Sequence, residues 1–335
     1  MYAIYGQLLF LGDWWSGSEL RVFAPPEFEA AAGSEHALLV MNHHVEVDFL
    51  IGFMFGDRYS ILGNCRAFML RSLGNAPVYG WSFLASNVIF LERNFERDKD
   101  NIARGIKELG QFPDPMLLLQ FAEGTRLTPE KLAASQEFAK SRNLPVLQHH
   151  LTPRTKGFVH AVLNADHERI RYIYDIVLVE NTALGATATL SNLLKGRKIV
   201  CDMFIRRYPI SAAGKTAKEM STFLVDMYVN KDIVKGNHLE TGSFSRGGRD
   251  KRVPDFPMHV RPRRSYSLAI VIFVNTVLGI PVIKFWLGLL LSGSVWMTLT
   301  AIAVPAVLSV GMNRMMAMSE IRHGTDYGLS DKKKE

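Results

Sequence analysis

Residues 36–56 read HALLVMNHHVEVDFLIGFMFG. The run HALLVMN (36–42) is apolar and of strand length, and VDFLIGFMFG (47–56) is amphipathic at helical spacing, so the stretch predicts a strand, a turn and a helix. His43, His44, Glu46 and Asp48 fall at the turn. Residues five apart lie about 140° apart around a helix and on opposite faces of a strand, so His43 and Asp48 meet only if the chain turns between them. A carboxylate behind an imidazole fixes its tautomer and stabilises the imidazolium, as a general base requires. Two other readings fit the same residues. One is metal ligation by His43, His44, Glu46 and Asp48, with His149 and His150 as the other histidine pair, although the run is not HExxH. The other is a structural histidine that caps a helix.

Outward from this stretch, further apolar runs of strand length lie at 87–91, 116–122, 171–180 and 198–206, with helical patterns at 97–111, 129–142, 157–166 and 216–233 between or after them. The alternation predicts an α/β fold, one mixed sheet covered by helices on both faces. In such sheets the loops leaving the carboxyl ends of the strands line the ligand crevice. Those loops carry NHHVEVD, then LERN with Arg93, then EGTR (Glu123, Gly124, Thr125, Arg126) ahead of a helix starting near Thr128. Arg71, in FMLRSLGNAPVYGW, is a third candidate cation. Two or three guanidinium groups beside a histidine base describe a site for a phosphorylated substrate that carries a nucleophilic hydroxyl.

The chain has 335 residues and two cysteines, Cys65 and Cys201, in no CxxC pair, which argues against a disulfide framework and a thiolate zinc site. Its net charge of +7 is concentrated: SFSRGGRDKRVPDFPMHVRPRRS (243–265) holds seven basic and two acidic residues. The next 47 residues, 266–312, contain Lys284 as their only charge. At about 20 residues per crossing this predicts a two-helix transmembrane hairpin turning near Lys284 to Ser294. Arg261, Arg263 and Arg264 before it and Arg314 and Arg322 after it place both ends in the cytosol by the positive-inside rule. The ending SDKKKE, with Lys332 and Lys333, is similar to a dilysine endoplasmic reticulum retrieval signal. The opening MYAIYGQLLFLGDWW is too short to span; it reads as an interfacial anchor with Trp14 and Trp15 at headgroup level, or as the remainder of a longer span.

NHHVEVD, FLERN, FAEGTR and PRTKGF occur in the order and at roughly the spacings of the four motifs of the glycerolipid acyltransferase family with the His-x4-Asp signature. The resemblance covers about residues 13–240. WWSG and LPVLQHHLTPRTKGF resemble the gamma and delta branch of the 1-acyl-sn-glycerol-3-phosphate acyltransferases, and the long last motif is also similar to the lysocardiolipin acyltransferase relatives. The chain departs from this branch at Leu70 and Arg71, where relatives tend to carry paired lysines, and in its shorter N-terminal segment.

The resemblance implies an endoplasmic reticulum membrane enzyme of phospholipid biosynthesis, multi-pass, with its catalytic domain in the cytosol. Its reaction would be the acyl-CoA-dependent acylation of the sn-2 hydroxyl of lysophosphatidic acid to phosphatidic acid. His43 would be the base and Asp48 its orienting carboxylate. Glu123, Gly124, Thr125 and Arg126, with Arg93 and Arg71, would form the phosphate region, and Pro153 would shape the acyl-CoA or acyl-chain side. Acyl-CoA is then a co-substrate, and no cofactor, metal or nucleic acid is expected. The implied organisation is an anchoring segment (1–20), a catalytic domain (21–242), a basic linker (243–265), the hairpin (266–312) and a basic cytosolic tail (313–335). Rival acceptors are lysophosphatidylinositol and lysocardiolipin. Rival classes are a noncatalytic membrane-shaping protein on the same scaffold and a metal-dependent lipid hydrolase.

Overall fold

The computed structural model describes residues 2–75, 79–84, 86, 88–92, 94–245 and 253–319. Eight strands form one sheet: β1 (Glu19–Phe23), β2 (His36–Met41), β3 (Cys65–Leu70), β4 (Ile89–Leu91), β5 (Leu117–Gln120), β6 (Ile170–Glu180), β7 (Val200–Pro209) and β8 (Met258–His259). Their order is β4-β3-β5-β2-β6-β7-β1-β8. Pairings are parallel except β6 with β7 and β1 with β8, so the sheet is mixed, as expected. Every residue of the central strand β2 is buried. A strand flanked by parallel neighbours and covered on both faces reads as a continuous apolar run, which is why HALLVM is legible.

The helices are α1 (Tyr2–Phe10), α2 (Pro26–Ala31), α3 (Asp48–Arg58), α4 (Tyr79–Leu84), α5 (Phe95–Gly110), α6 (Pro129–Ser141), α7 (Thr155–Asn164), α8 (Leu190–Leu194), α9 (Ala217–Thr241), α10 (Ser265–Val274), α11 (Ile280–Leu290) and α12 (Val295–Ser319). Alternate side chains of β2 enter two cores. Leu39 and Met41 pack with Tyr5 and Leu9 of α1 and Leu50, Met54 and Phe55 of α3. Leu38 and Val40 pack with Ile102 and Ile106 of α5, Phe158 and Val162 of α7, and Leu224 and Tyr228 of α9. The period-two alternation of a strand makes this division.

The apolar C-terminal run, read in sequence as two spans, folds less evenly. α10, a π-helical turn (Asn275–Gly279) and α11 form one helical stretch, Ser265–Leu290, of 26 residues. At about 1.5 Å per residue it reaches roughly 39 Å, beyond the ~30 Å hydrocarbon core of a bilayer. After a turn with Gly293 at φ +71°, α12 folds back, and the Trp286 indole donates to the Ala301 carbonyl at 3.1 Å. Its apolar part, Val295–Gly311, is shorter, so one helix among the described residues is long and apolar enough to cross a membrane.

α1 packs against α3 and α10. Tyr5 stacks on Phe53 of α3 with ring centroids 4.5 Å apart, while Tyr2 meets Tyr266 and the Gln7 side chain accepts from Asn275 at 2.8 Å. Trp14 lies under Arg263, and Trp15 is exposed, its indole donating to the Leu194 carbonyl at 3.1 Å. β8 falls within the stretch read as a linker and adds an edge strand beside β1. Lys332, Lys333 and Arg322 lie outside the described residues.

Candidate active site

β2 ends at Met41, and the Asn42 side chain continues its pairing with β6: the amide donates to the Leu178 carbonyl at 2.9 Å and the amide oxygen accepts from Leu178 N–H at 2.7 Å. Val45 and Val47 then sink into the core and hold the turn between them and the strand. Asp48 opens α3, where the helix N-terminus favours a carboxylate. The turn inferred from the sequence therefore exists, and it brings the His43 Nδ1 and the Asp48 carboxylate into hydrogen-bond contact. The His43 ring stacks on Phe121 at 4.2 Å between centroids and remains 25% exposed. With Nδ1 engaged, Nε2 is the nitrogen open to a substrate proton.

Three loops meet at this histidine. Leu127 N–H donates to the His43 carbonyl at 3.1 Å, and Arg154 N–H donates to the Ala122 carbonyl at 2.7 Å. These bonds dock the EGTR loop on the NHHVEVD loop and the PRTKGF loop on the EGTR loop. Gly124 makes the turn possible: its φ of +72° suits a residue without a Cβ, and its N–H donates to the Phe121 carbonyl at 3.0 Å.

The residues expected at the phosphate separate into two groups. Glu123 is 2% exposed and faces inward. It accepts from His44 Nε2 at 3.1 and 3.2 Å, from His43 N–H at 3.3 Å and from Leu151 N–H at 3.2 Å. Burial alone would raise its pKa, but the His44 and His150 rings and the Leu151 amide bring it down to about 2. An ionised carboxylate has no proton to donate, and these four contacts make Glu123 a tie between the loops. Thr125 is buried too, its hydroxyl accepting from the Lys131 ammonium at 2.7 Å. Arg126 is half-buried, and Arg71 is exposed just after β3. Pro153 is buried where the PRTKGF loop meets the EGTR loop. Arg93 lies outside the described residues.

Both His44 nitrogens have protein partners, and Glu46 turns away to accept from Leu190 N–H at 3.1 Å. Among the described residues no group of three or more His, Cys, Asp or Glu side chains is placed to hold a metal ion.

Several residues at this site are not singled out by sequence reasoning. Phe121 is one; Lys235 and Asp232, which meet His44 and His150 behind the loops, are the others. The Lys235 ammonium reaches His44 Nδ1 and donates to the His149 carbonyl at 3.4 Å. Asp232 accepts from Gln148 N–H at 2.8 Å and His149 N–H at 2.7 Å and contacts His150 Nδ1 at 3.1 Å. A signal was present in α9, where Leu224, Tyr228, Lys231, Lys235 and His238 recur at alternating spacings of four and three. Such a stripe is one helix face, and all five residues are buried. Lysines on an apolar stripe mark buried cations that need partners.

Two family models match the chain, Acyltransferase over residues 25–179 and Acyltransferase C-terminus over residues 192–274. The chain is 33% identical over 334 residues to the 1-acyl-sn-glycerol-3-phosphate acyltransferase delta of Homo sapiens, covering 100% of this chain and 85% of that protein. The gamma enzyme of Homo sapiens is 32% identical with the same coverage, as is the delta enzyme of Mus musculus. The second model spans α9, so the segment that delivers Lys235 lies within the matched region.

Proposed function

Since the chain belongs to the acyltransferase family, we propose that it transfers an acyl group from acyl-CoA to the sn-2 hydroxyl of lysophosphatidic acid, giving phosphatidic acid and free CoA. The observation that carries this reading is the His43–Asp48 pair, with Nε2 open beside the loop that bears Arg126. In this mechanism His43 Nε2 takes the hydroxyl proton as the oxygen attacks the thioester carbonyl carbon. The C–S bond breaks, and the proton passes to the departing thiolate. Asp48 keeps the His43 proton on Nδ1 and stabilises the imidazolium between the two steps. Binding both substrates side by side replaces a bimolecular encounter, and the scheme needs no metal or prosthetic group.

Arg126 binds the acceptor phosphate, with Arg93 and Arg71 as further cations, and Gly124 lets the backbone approach. Pro153 holds the loop on the acyl-CoA side. Arg126→Ala is expected to raise the KM for lysophosphatidic acid about 10-fold or more while kcat changes little, because one charge-assisted contact is lost. An unchanged KM would remove Arg126 from the acceptor site.

The enzyme reaches amphiphilic substrates from the membrane. We propose that residues 266–312 form a transmembrane hairpin in the endoplasmic reticulum with the catalytic domain (21–242) on the cytosolic side, supported by the basic residues flanking the apolar run. The test of function is CoA release from acyl-CoA by membranes carrying the protein, with lysophosphatidic acid, lysophosphatidylinositol and lysocardiolipin offered separately. Lysophosphatidic acid is expected to give the fastest release. Faster release with another acceptor would transfer the assignment to it. No acceptor-dependent release from well-folded protein would favour a noncatalytic role.

A further inference from the structure

We propose that Lys235, on α9, is a positioning residue for the His43 base: through His44 and Glu123 it holds together the loop that carries His43 and the loop that carries Leu151. The inference rests on the general-base reading of His43 above. Lys235 has only donors, so its contact with His44 Nδ1 makes that nitrogen an acceptor and puts the His44 proton on Nε2. That proton is donated to Glu123, which lies 3.1 and 3.2 Å away. Adjacent histidines are thereby fixed in opposite tautomers, His43 donating from Nδ1 to Asp48 and His44 donating from Nε2 to Glu123. The remaining acceptor positions of Glu123 take the backbone N–H of His43 at 3.3 Å and of Leu151 at 3.2 Å. One carboxylate therefore fixes the main chain at the base and at the loop leading to Pro153.

The charge balance explains why a lysine stands there. Glu123 is buried and ionised, and Lys235, 9% exposed, is its counter-charge across a neutral imidazole. Removing the ammonium leaves a buried carboxylate uncompensated and frees His44 to exchange tautomers, so that Glu123 loses a donor. Other groups facing Lys235 are Asp232 on its own helix, Glu180 on β6, and the His149 and His150 segment. Burial lowers the Lys235 pKa to about 8, with Glu123, Asp232 and Glu180 opposing the shift. The ammonium is complete below that pH and is lost as pH rises through it, so turnover should decline on the alkaline side.

The experiment measures kcat and both KM values against pH for the full chain in proteoliposomes, using acyl-CoA and lysophosphatidic acid, in wild type, Lys235→Met and Lys235→Arg. Lys235→Met is expected to lower kcat on the order of 10- to 100-fold with both KM values nearly unchanged, as small misplacements of a catalytic group do. Lys235→Arg, whose guanidinium does not titrate, should keep most of the turnover and lose the alkaline decline near pH 8. Wild-type kcat in Lys235→Met overturns the proposal. So does an equal loss in both variants with the alkaline limb unmoved, which is the mark of simple packing. If Lys235→Met fails to fold, the Lys235→Arg profile decides. A second readout separates this inference from the assignment of function: carbethoxylation of His43, followed by peptide mass. If wild type transfers no acyl group to any acceptor, the functional reading falls. Faster His43 labelling in Lys235→Met still supports the relay, and unchanged labelling overturns it.

Discussion

His43→Ala is expected to lower kcat for acyl transfer by about 10² to 10⁴, the range that a positioned general base contributes. The attacking hydroxyl then has no acceptor for its proton, since among the described residues no second imidazole is open beside the first. The His44 nitrogens are engaged by Lys235 and Glu123, and His150 is fully buried. Substrate binding should persist, because Arg126 and the docked loops remain, so the loss belongs in kcat and the KM values stay within a fewfold. The structural cost is local. Asp48 loses one charge-assisted bond but keeps the N-terminus of α3, and Phe121 loses a stacked ring, together about 1–3 kcal/mol. Thermal unfolding in detergent separates the two effects. A folded variant with kcat within tenfold of wild type would end the general-base reading.

What the sequence discloses about this site follows from how local each contact is. His43 and Asp48 lie five residues apart, and regular structure keeps such a pair apart, so the apolar strand before them and the amphipathic helix after them are enough to infer their meeting. The Glu123–His44 bond spans 79 positions and the Lys235–His44 contact 191, and no local pattern reports either. EGTR shows the same limit. Its glycine turn is readable, but which side chains face the substrate depends on the neighbouring loops, and Glu123 turns inward because His43, His44 and Leu151 all offer it donors.

The fold divides in a similar way. β2, β5 and β6 are readable as continuous apolar runs because they are covered on both faces. β1 (ELRVF) alternates buried and half-buried residues, with Arg21 paired to Asp202, and its charges hide a five-residue strand. β3 (CRAFML) contains Arg66, which is buried by donating to the Gly63 carbonyl at 2.7 Å and the Cys65 carbonyl at 3.0 Å. Such a strand is specified by its partners rather than by its own pattern.

α3 joins the chemistry to the candidate membrane segment. It begins at Asp48, and at its other end Arg58 donates to both Asp13 oxygens at 2.8 and 2.5 Å. Asp57 meets Tyr2 and the Arg264 guanidinium at 3.8 Å, directly before α10. An 11-residue helix is about 16 Å long, so the His43–Asp48 pair stands roughly that far from the start of the long apolar helix.

Asp48→Asn is expected to cost nearly as much as loss of the base, about 10² to 10³ in kcat, although it changes one oxygen to nitrogen and preserves volume. The carboxylate only accepts, so His43 Nδ1 must carry the ring proton and Nε2 is left basic. An asparagine in the same place can turn its amide NH2 toward the ring. It then donates to Nδ1 and moves the proton to Nε2, the nitrogen that has to take the substrate proton. The imidazolium also loses its counter-charge. Both KM values should hold, because Asp48 is buried behind the ring. Stability should fall by no more than about 1 kcal/mol, since at the first turn of α3 only the negative charge is lost. Side-by-side assays of Asp48→Asn and Asp48→Ala then distinguish two roles for the aspartate. If it acts by fixing the tautomer, the asparagine variant is no better than the alanine variant, in which the ring is free to sample the productive form. If Asp48→Asn instead retained wild-type kcat, the contact would be a helix cap that happens to touch a histidine, and the catalytic role would have to move to a group other than this pair.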